Sequence, residues 1–289
     1  MSLAKDIQYR YATLNIAEKI ILANVAVFIF ERLITFFFAL DPNLLVSWFE
    51  LPKNLSAFFV KPWTIVTYAF FHAGFLHLFF NMLLLYFSGR IFLNIFSKKR
   101  FITVYLLGAV LGGIVFLISY NIFPVFAGSN PALVGASAAV MAILIFVCTY
   151  MPYQDVRMIF FNVKLWQVGL VFVLIDLIQI PMSNAGGHLA HLGGALLGFL
   201  YARSIYNQKS VFTKVENAGK LVDVFTSYKK PTLKTVHKSE NAQKPTYRSS
   251  YQKSEYQQKI DDILDKISKS GYDSLTKEEK DFLFKAGKE

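Results

Sequence analysis

The sequence predicts an all-α polytopic membrane protein built as a bundle of six transmembrane helices. Hydrophobic residues make up 54% of the 289-residue chain and charged residues only 17%, against about 25% in ordinary soluble domains. A bilayer-spanning helix needs about 20 mostly apolar residues, and six stretches of this kind are present. In chain order they cover residues 19–39, 66–96, 101–123, 134–151, 165–181 and 188–206.

The first stretch is predicted to be a membrane helix and not a signal peptide. The residues before it are polar, the apolar run is too long for a signal peptide, and no small-residue cleavage site follows it. The second stretch is longer than one crossing requires, so we expect its two ends to lie outside the apolar core of the bilayer.

Charges in the loops predict how the helices are oriented. Basic residues follow the second, fourth and sixth stretches, for example at 97–100 and at Lys209, and basic loops stay in the cytoplasm. The loops 124–133 and 182–187 carry no charge. We therefore expect both termini to be cytoplasmic. The second, fourth and sixth helices would then run from the outer face to the inner face.

The net charge of +11 arises mostly between and after the apolar stretches. This distribution favours contact with an anionic membrane surface over nucleic-acid binding. The lipid bilayer is therefore an expected partner and nucleic acid is not. A six-span core without a targeting segment is typical of bacteria, so we expect an integral protein of a bacterial plasma membrane.

The chain changes character after the sixth stretch. Residues 1–208 form the predicted membrane domain. Residues 209–256 are basic and polar without apolar periodicity, which is typical of a disordered linker near anionic lipid. Residues 257–289 regain helical spacing and are predicted to form a two-helix hairpin, with a helix stop at Gly271 and a capping box that begins at Thr276. We expect this hairpin to dock on a cytoplasmic partner.

Two residues suited to catalysis lie near the outer ends of different helices. Ser137 follows Gly135 in a run of small residues, and it comes three residues after the predicted start of the fourth helix. His191 comes three residues after the predicted start of the sixth, so both should lie at a similar shallow depth. Small residues on the sixth helix, including Gly194 and Gly198, would allow close approach. Ser137 could then be a nucleophile and His191 its general base, although small residues also suit simple helix packing.

His77 and Asn81 lie one helical turn apart in the outer half of the second helix. Their N–H groups could stabilise the oxyanion of an acyl-transfer reaction, together with the backbone N–H of Ser137 at a helix start. The alternative interpretation is an interhelical hydrogen-bond pair that holds the bundle together.

A metal site is the competing interpretation of the histidines on the sixth helix. His188 and His191 are three residues apart, which places both on one helix face. No acidic residue or cysteine is expected at the outer ends of the helices to complete the ligand set, so we expect no metal. Asp176 is a charge inside the fifth stretch. Such charges suggest function by default, but structural pairing is the favoured interpretation here.

Three segments together resemble the rhomboid intramembrane serine proteases. Residues 135–137 resemble the start of the family's G-x-S-G nucleophile motif. Residues 190–198 resemble its A-H-x-x-G-x-x-x-G base motif, and residues 72–81 resemble its H-x4-H-x3-N segment. The segments occur in the right order, and the resemblance covers about residues 15–206.

The resemblance implies a serine–histidine dyad of Ser137 and His191. It implies an oxyanion site formed by His77, Asn81 and the Ser137 backbone N–H. The implied activity is hydrolysis of peptide bonds in or near the transmembrane segments of other membrane proteins, without a metal or a cofactor.

The chain departs from the family pattern at two places, and other functions are open. Ala138 stands where the motif usually has glycine, and the Trp-Arg pair common in the first loop of many members is absent from residues 40–65. Ala138 supports the alternative of a catalytically silent rhomboid-like protein that binds transmembrane segments. A small-solute carrier would predict inverted repeats or broken helices, and the sequence shows neither.

Overall fold

The structure is a computed structural model that describes residues 3–157, 162–208, 212 and 255–286. The chain divides into two compact units, Met1–Lys229 and Lys230–Glu289. Two single turns of 3-10 helix in the first unit cover Tyr68–Phe70 and Pro124–Phe126. The α-helices among the described residues of the first unit are α1 (Leu3–Thr13), α2 (Ile16–Phe37), α3 (Pro42–Val46), α4 (Leu55–Val60), α5 (Thr64–Thr67), α6 (Phe75–Leu93), α7 (Lys98–Ile122), α8 (Ser137–Tyr150), α9 (Leu165–Gln179) and α10 (Ala185–Tyr206).

Helices α2, α6, α7, α8, α9 and α10 correspond to the six predicted spans, and the all-α polytopic membrane fold is confirmed. By length and composition, α2, α6 and α7 are long and apolar enough to cross a membrane, whereas α8 and α9 are apolar but shorter. Helix α6 is also shorter than the predicted 66–96, because α5 and a 3-10 turn replace its first residues.

Two predicted helix starts near the candidate catalytic residues were wrong by three residues each. Helix α8 begins at Ser137 itself, because Gly135 adopts a φ of +124° that no helix continues. Helix α10 begins at Ala185, because the side chain of Asn184 accepts a hydrogen bond from the Gly187 N–H and caps the helix. Ser137 is therefore the first residue of its helix, and His191 lies nearly two turns into the other.

Helix α8 is short because it lies inside the bundle. Eleven of its 14 residues are buried, and at about 1.5 Å per residue it is only about 21 Å long. A helix enclosed by other helices does not need to match the thickness of the lipid. Helices α6, α7, α9 and α10 all contact it, so the residue at its N-terminal end lies among several helices.

Helices α8 and α10 meet at backbone contact distance. A methyl group on Gly194 would collide with the carbonyl oxygen of Ala138, and one on Gly198 would collide with that of Ala142. A methyl group on Gly112 of α7 would lie 2.5 Å from the Ala138 side chain. The glycines thus allow the three helices to approach where any larger side chain would separate them.

We expect Gly194→Ala to destabilise the membrane domain by about 1–3 kcal/mol, because the new methyl group would overpack a rigid backbone contact. Thermal unfolding of the purified protein in detergent measures this effect. Gly128→Ala is the matched control, because a side chain there meets nothing within 4 Å. Equal unfolding temperatures for the two variants would contradict the prediction.

Short strands and backbone hydrogen bonds hold the segment that leads into α8. Strand β1 (Leu51–Pro52) pairs antiparallel with β2 (Ala132–Leu133). The N–H of Gly135 donates to the carbonyl of Tyr68 at 2.9 Å, and the Tyr68 hydroxyl donates to the Ala109 carbonyl at 2.7 Å. The turn before Ser137 is thereby tied to the first loop and to α7. Two further strands, β3 (Asp155–Arg157) and β4 (Asn162–Lys164), pair before α9.

The second unit contains α11 (Glu255–Ser270), a 3-10 turn and α12 (Lys277–Ala286). Gly271 has a φ of +78° where α11 ends. The capping box forms, since Thr276 Oγ1 accepts from the Glu279 N–H and Glu279 accepts from the Thr276 N–H. The Thr276 N–H and then the Lys266 ammonium donate to the carboxylate of Glu279 and hold its pKa below the usual range. The predicted linker 209–256 lies almost wholly outside the described residues, and the bounds of the three predicted segments stay predictions.

Candidate active site

A cavity of about 380 Å³ opens between α6, α8, α9 and α10. Most of its wall is apolar and comes from leucine, phenylalanine, isoleucine, valine and methionine side chains. The polar side chains converge on it from four separate helices. They are His77, Asn81, Ser137, Asp176, His188 and His191.

Gly135 allows the His77 ring to lie beside Ser137. A side chain on Gly135 would place its first carbon 2.6 Å from Cε1 and 2.7 Å from Nε2 of His77, and 3.6 Å from Oγ of Ser137. Gly135 also has a φ of +124°, which side chains rarely adopt. Two independent constraints therefore require glycine here, and the missing side chain lets the His77 imidazole approach the turn that leads into Ser137.

His72 supports the same turn from outside the cavity. It is 5% exposed, and its Nε2 accepts a hydrogen bond from the Ala136 N–H at 3.4 Å. Its ring lies 5.2 Å from that of His77 at an interplanar angle of 67°. An imidazole nitrogen that accepts a hydrogen bond carries no proton, so His72 is neutral in this arrangement. It holds the backbone one residue before Ser137.

Asn81 keeps one amide hydrogen for the cavity. Its Nδ2 donates to the carbonyl of His77 at 2.8 Å, one turn back along α6. An amide nitrogen has two hydrogens, so this bond fixes the side chain while the second hydrogen is still able to donate. Asn81 is 6% exposed.

Asp176 on α9 contacts both histidines of α10. Its Oδ1 lies 2.8 Å from Nδ1 of His191 and 2.8 Å from Nδ1 of His188. The expected pairing of Asp176 is observed, but the expectation that no acidic residue lies beside the two histidines was wrong. The reason is that α9 and α10 are consecutive, so the end of one helix adjoins the start of the next. Asp176 lies four residues before Ile180, the residue that follows α9. Its position near this helix end could have identified it as a neighbour of the start of α10.

Ala138 does not narrow the cavity. Its side chain is 1% exposed and lies against Gly112 of α7. Among the residues that the structure describes, those lining the cavity do not include it. The methyl group that replaces the motif glycine is therefore accommodated at a helix contact.

A model of the Rhomboid domain family matches residues 60–208, just over half of the chain. A family of unknown function (DUF6576) matches residues 247–286. The described residues of that second segment form α11 and α12.

Curated relatives match part of the chain. The chain is 31% identical over 193 residues to the human presenilin-associated rhomboid-like protein, mitochondrial, a match that covers 63% of this chain and 46% of the relative. It is 34% identical over 140 residues to the protein of the same name from Rattus norvegicus, covering 46% and 35%. It is 29% identical over 190 residues to RHOMBOID-like protein 12, mitochondrial, of Arabidopsis thaliana, covering 61% and 54%. The chain spans about half or less of the length of these relatives.

Proposed function

The chain belongs to the rhomboid family, and we propose that it is an intramembrane serine endopeptidase. It would hydrolyse peptide bonds in or near the transmembrane segments of other membrane proteins. One observation carries the proposal: Ser137 and His191 line one cavity, and the carboxylate of Asp176 lies 2.8 Å from Nδ1 of that histidine.

The hydrogen bond to Asp176 leaves Nε2 as the free ring nitrogen of His191. With its Nδ1 proton directed at the carboxylate, His191 has a lone pair on Nε2 for the Ser137 hydroxyl proton. Ser137 Oγ then attacks the scissile carbonyl, and the imidazolium returns the proton to the leaving amine. Water attacks the acyl-enzyme in the second half of the reaction, with His191 again as the base. Asp176 stays ionised and stabilises the imidazolium.

Three N–H donors surround the position where negative charge would develop. His77 lies across Gly135 from the Ser137 hydroxyl, and Asn81 has an amide hydrogen left to donate. The backbone N–H of Ser137 belongs to the first turn of α8, where helix N–H groups have no partner within the helix. Such preorganised donors stabilise an oxyanion in acyl transfer.

The lining of the cavity indicates the kind of substrate. Apolar walls around a polar centre suit an unwound stretch of a transmembrane segment, which would enter from the lipid bilayer. The basic loops favour a cytoplasmic position for both termini. The bacterial plasma membrane stays a prediction from the sequence, because the relatives named above are mitochondrial proteins. The segment 257–289 would dock on a cytoplasmic partner, and 209–256 would connect it to the membrane domain of residues 1–208.

The alternative function is a catalytically silent protein that binds transmembrane segments. It rests on Ala138, whose methyl group lies against Gly112 and not in the cavity. A fluorophosphonate probe separates the two functions, because it labels only an activated serine. We expect the wild-type protein to be labelled in detergent and Ser137→Ala to be unlabelled. Folded wild-type protein that takes no label, or equal labelling of both, would favour the silent protein.

A further inference from the structure

We propose that Asp176, His188 and His191 form a binding site for Zn²⁺, and that the bound metal switches off the base at His191. The three side chains each offer one ligand atom, and these atoms all lie within 4.8 Å of one another. The sequence predicted no metal because no third ligand was expected near the histidines. The position of Asp176 removes that reason.

The ligand set has the chemistry that zinc prefers. Two imidazole nitrogens and a carboxylate oxygen make a three-ligand site with a fourth position open to water. Zinc bonds of about 2.0–2.2 Å in a tetrahedron hold the ligand atoms about 3.4 Å apart. Oδ1 of Asp176 now lies 2.8 Å from each Nδ1. The ion would fit if each of these two separations rose by about 0.6 Å and the two imidazole ligand atoms, which lie within 4.8 Å of one another, stood about 3.4 Å apart.

The placement of the ligands supports a defined and accessible site. His188 and His191 are three residues apart on α10, and Asp176 faces them from α9. The side chain of Asp176 is 6% exposed, whereas those of His188 and His191 are 15% and 21% exposed. The carboxylate is therefore buried, and both imidazoles border the cavity through which an ion would enter.

Metal binding would change which nitrogen of His191 holds the proton. Zinc binds the lone pair of Nδ1, so the proton of a neutral imidazole moves to Nε2. A protonated Nε2 has no lone pair for the Ser137 hydroxyl. Asp176 would bind the ion instead of orienting the ring. This consequence rests on the proposed protease function, whereas binding itself does not.

The binding experiment uses the full chain with Ser137→Ala, purified in detergent without a histidine tag and titrated with Zn²⁺ or with Co²⁺ as a visible-light probe. We expect about one ion per chain in tetrahedral geometry. His188→Ala and Asp176→Asn should each weaken binding by about 100-fold or more, since loss of supporting groups alone costs 10–100-fold. His237→Ala is the control, because it removes an imidazole from the chain but none from the cluster.

Unchanged affinity in folded His188→Ala and Asp176→Asn would overturn the site, and so would an equal loss in His237→Ala. His188→Gln repeats the test with a side chain of similar size, in case the alanine variant does not fold.

The activity experiment tests the switch. We expect Zn²⁺ to inhibit cleavage by the wild-type chain, and His188→Gln to need at least about 10-fold more zinc for the same inhibition. Equal zinc sensitivity of the two would overturn the switch. If no chain cleaves any substrate, the protease function fails, while the binding titration still decides the metal site.

Discussion

Replacing Ser137 or His191 with alanine is expected to abolish cleavage of a transmembrane substrate, with kcat falling by about 10⁴-fold or more. Ser137→Ala removes the only nucleophile in the proposed mechanism. His191→Ala removes the group that accepts its proton. Because the two residues act as one unit, the double variant should be no slower than either single variant.

The measurement is cleavage of a model transmembrane substrate in detergent by the wild-type chain and the three variants. Ser183→Ala is a matched control, since Ser183 is exposed in the loop before α10 and lies outside the cavity lining. Comparable cleavage by Ser137→Ala and wild type would contradict the proposed nucleophile. Additive losses in the double variant would show that the two residues act separately.

Replacing Asp176 with asparagine is expected to lower kcat by about 10²- to 10⁴-fold. The asparagine amide would donate to Nδ1 of His191, and the ring proton would then move to Nε2, where it blocks the acceptance of the serine proton. Substrate binding depends on the apolar walls, so KM should change little. This split between kcat and KM distinguishes a positioning residue from one that only stabilises the fold.

Two further variants make the test of Asp176 specific. Asp176→Glu keeps the carboxylate and should restore part of the lost activity. Asp155→Asn removes an exposed carboxylate paired with Lys164 at 3.4 Å, and should cleave like wild type. Full activity of Asp176→Asn would show that Ser137 and His191 work as a dyad without the carboxylate. A lower unfolding temperature that accompanies the loss of kcat, without rescue by glutamate, would assign Asp176 a structural role.

The sequence alone was sufficient to identify the six helices, because each is a long apolar run bounded by charged or turn-forming residues. Helix α7, predicted at 101–123, covers Lys98–Ile122. The orientation of alternate helices also predicted that Ser137 and His191 would lie near one another, and both line the cavity. Ser137 and His191 line the same cavity although both predicted helix starts were wrong by three residues. The reason is that close glycine contacts between α8 and α10 keep the two helices together over more than one turn.

Only the tertiary structure decided which polar groups touch. The contact of Asp176 with His188 and His191, and that of His72 with the Ala136 N–H, depend on how each helix is rotated about its axis. In a soluble helix, an apolar stripe reveals the buried face. Helices α8 and α9 carry few polar residues between their ends, since lipid and bundle interior are equally apolar. Their sequences therefore specify that they enter the membrane but not which face turns towards the site.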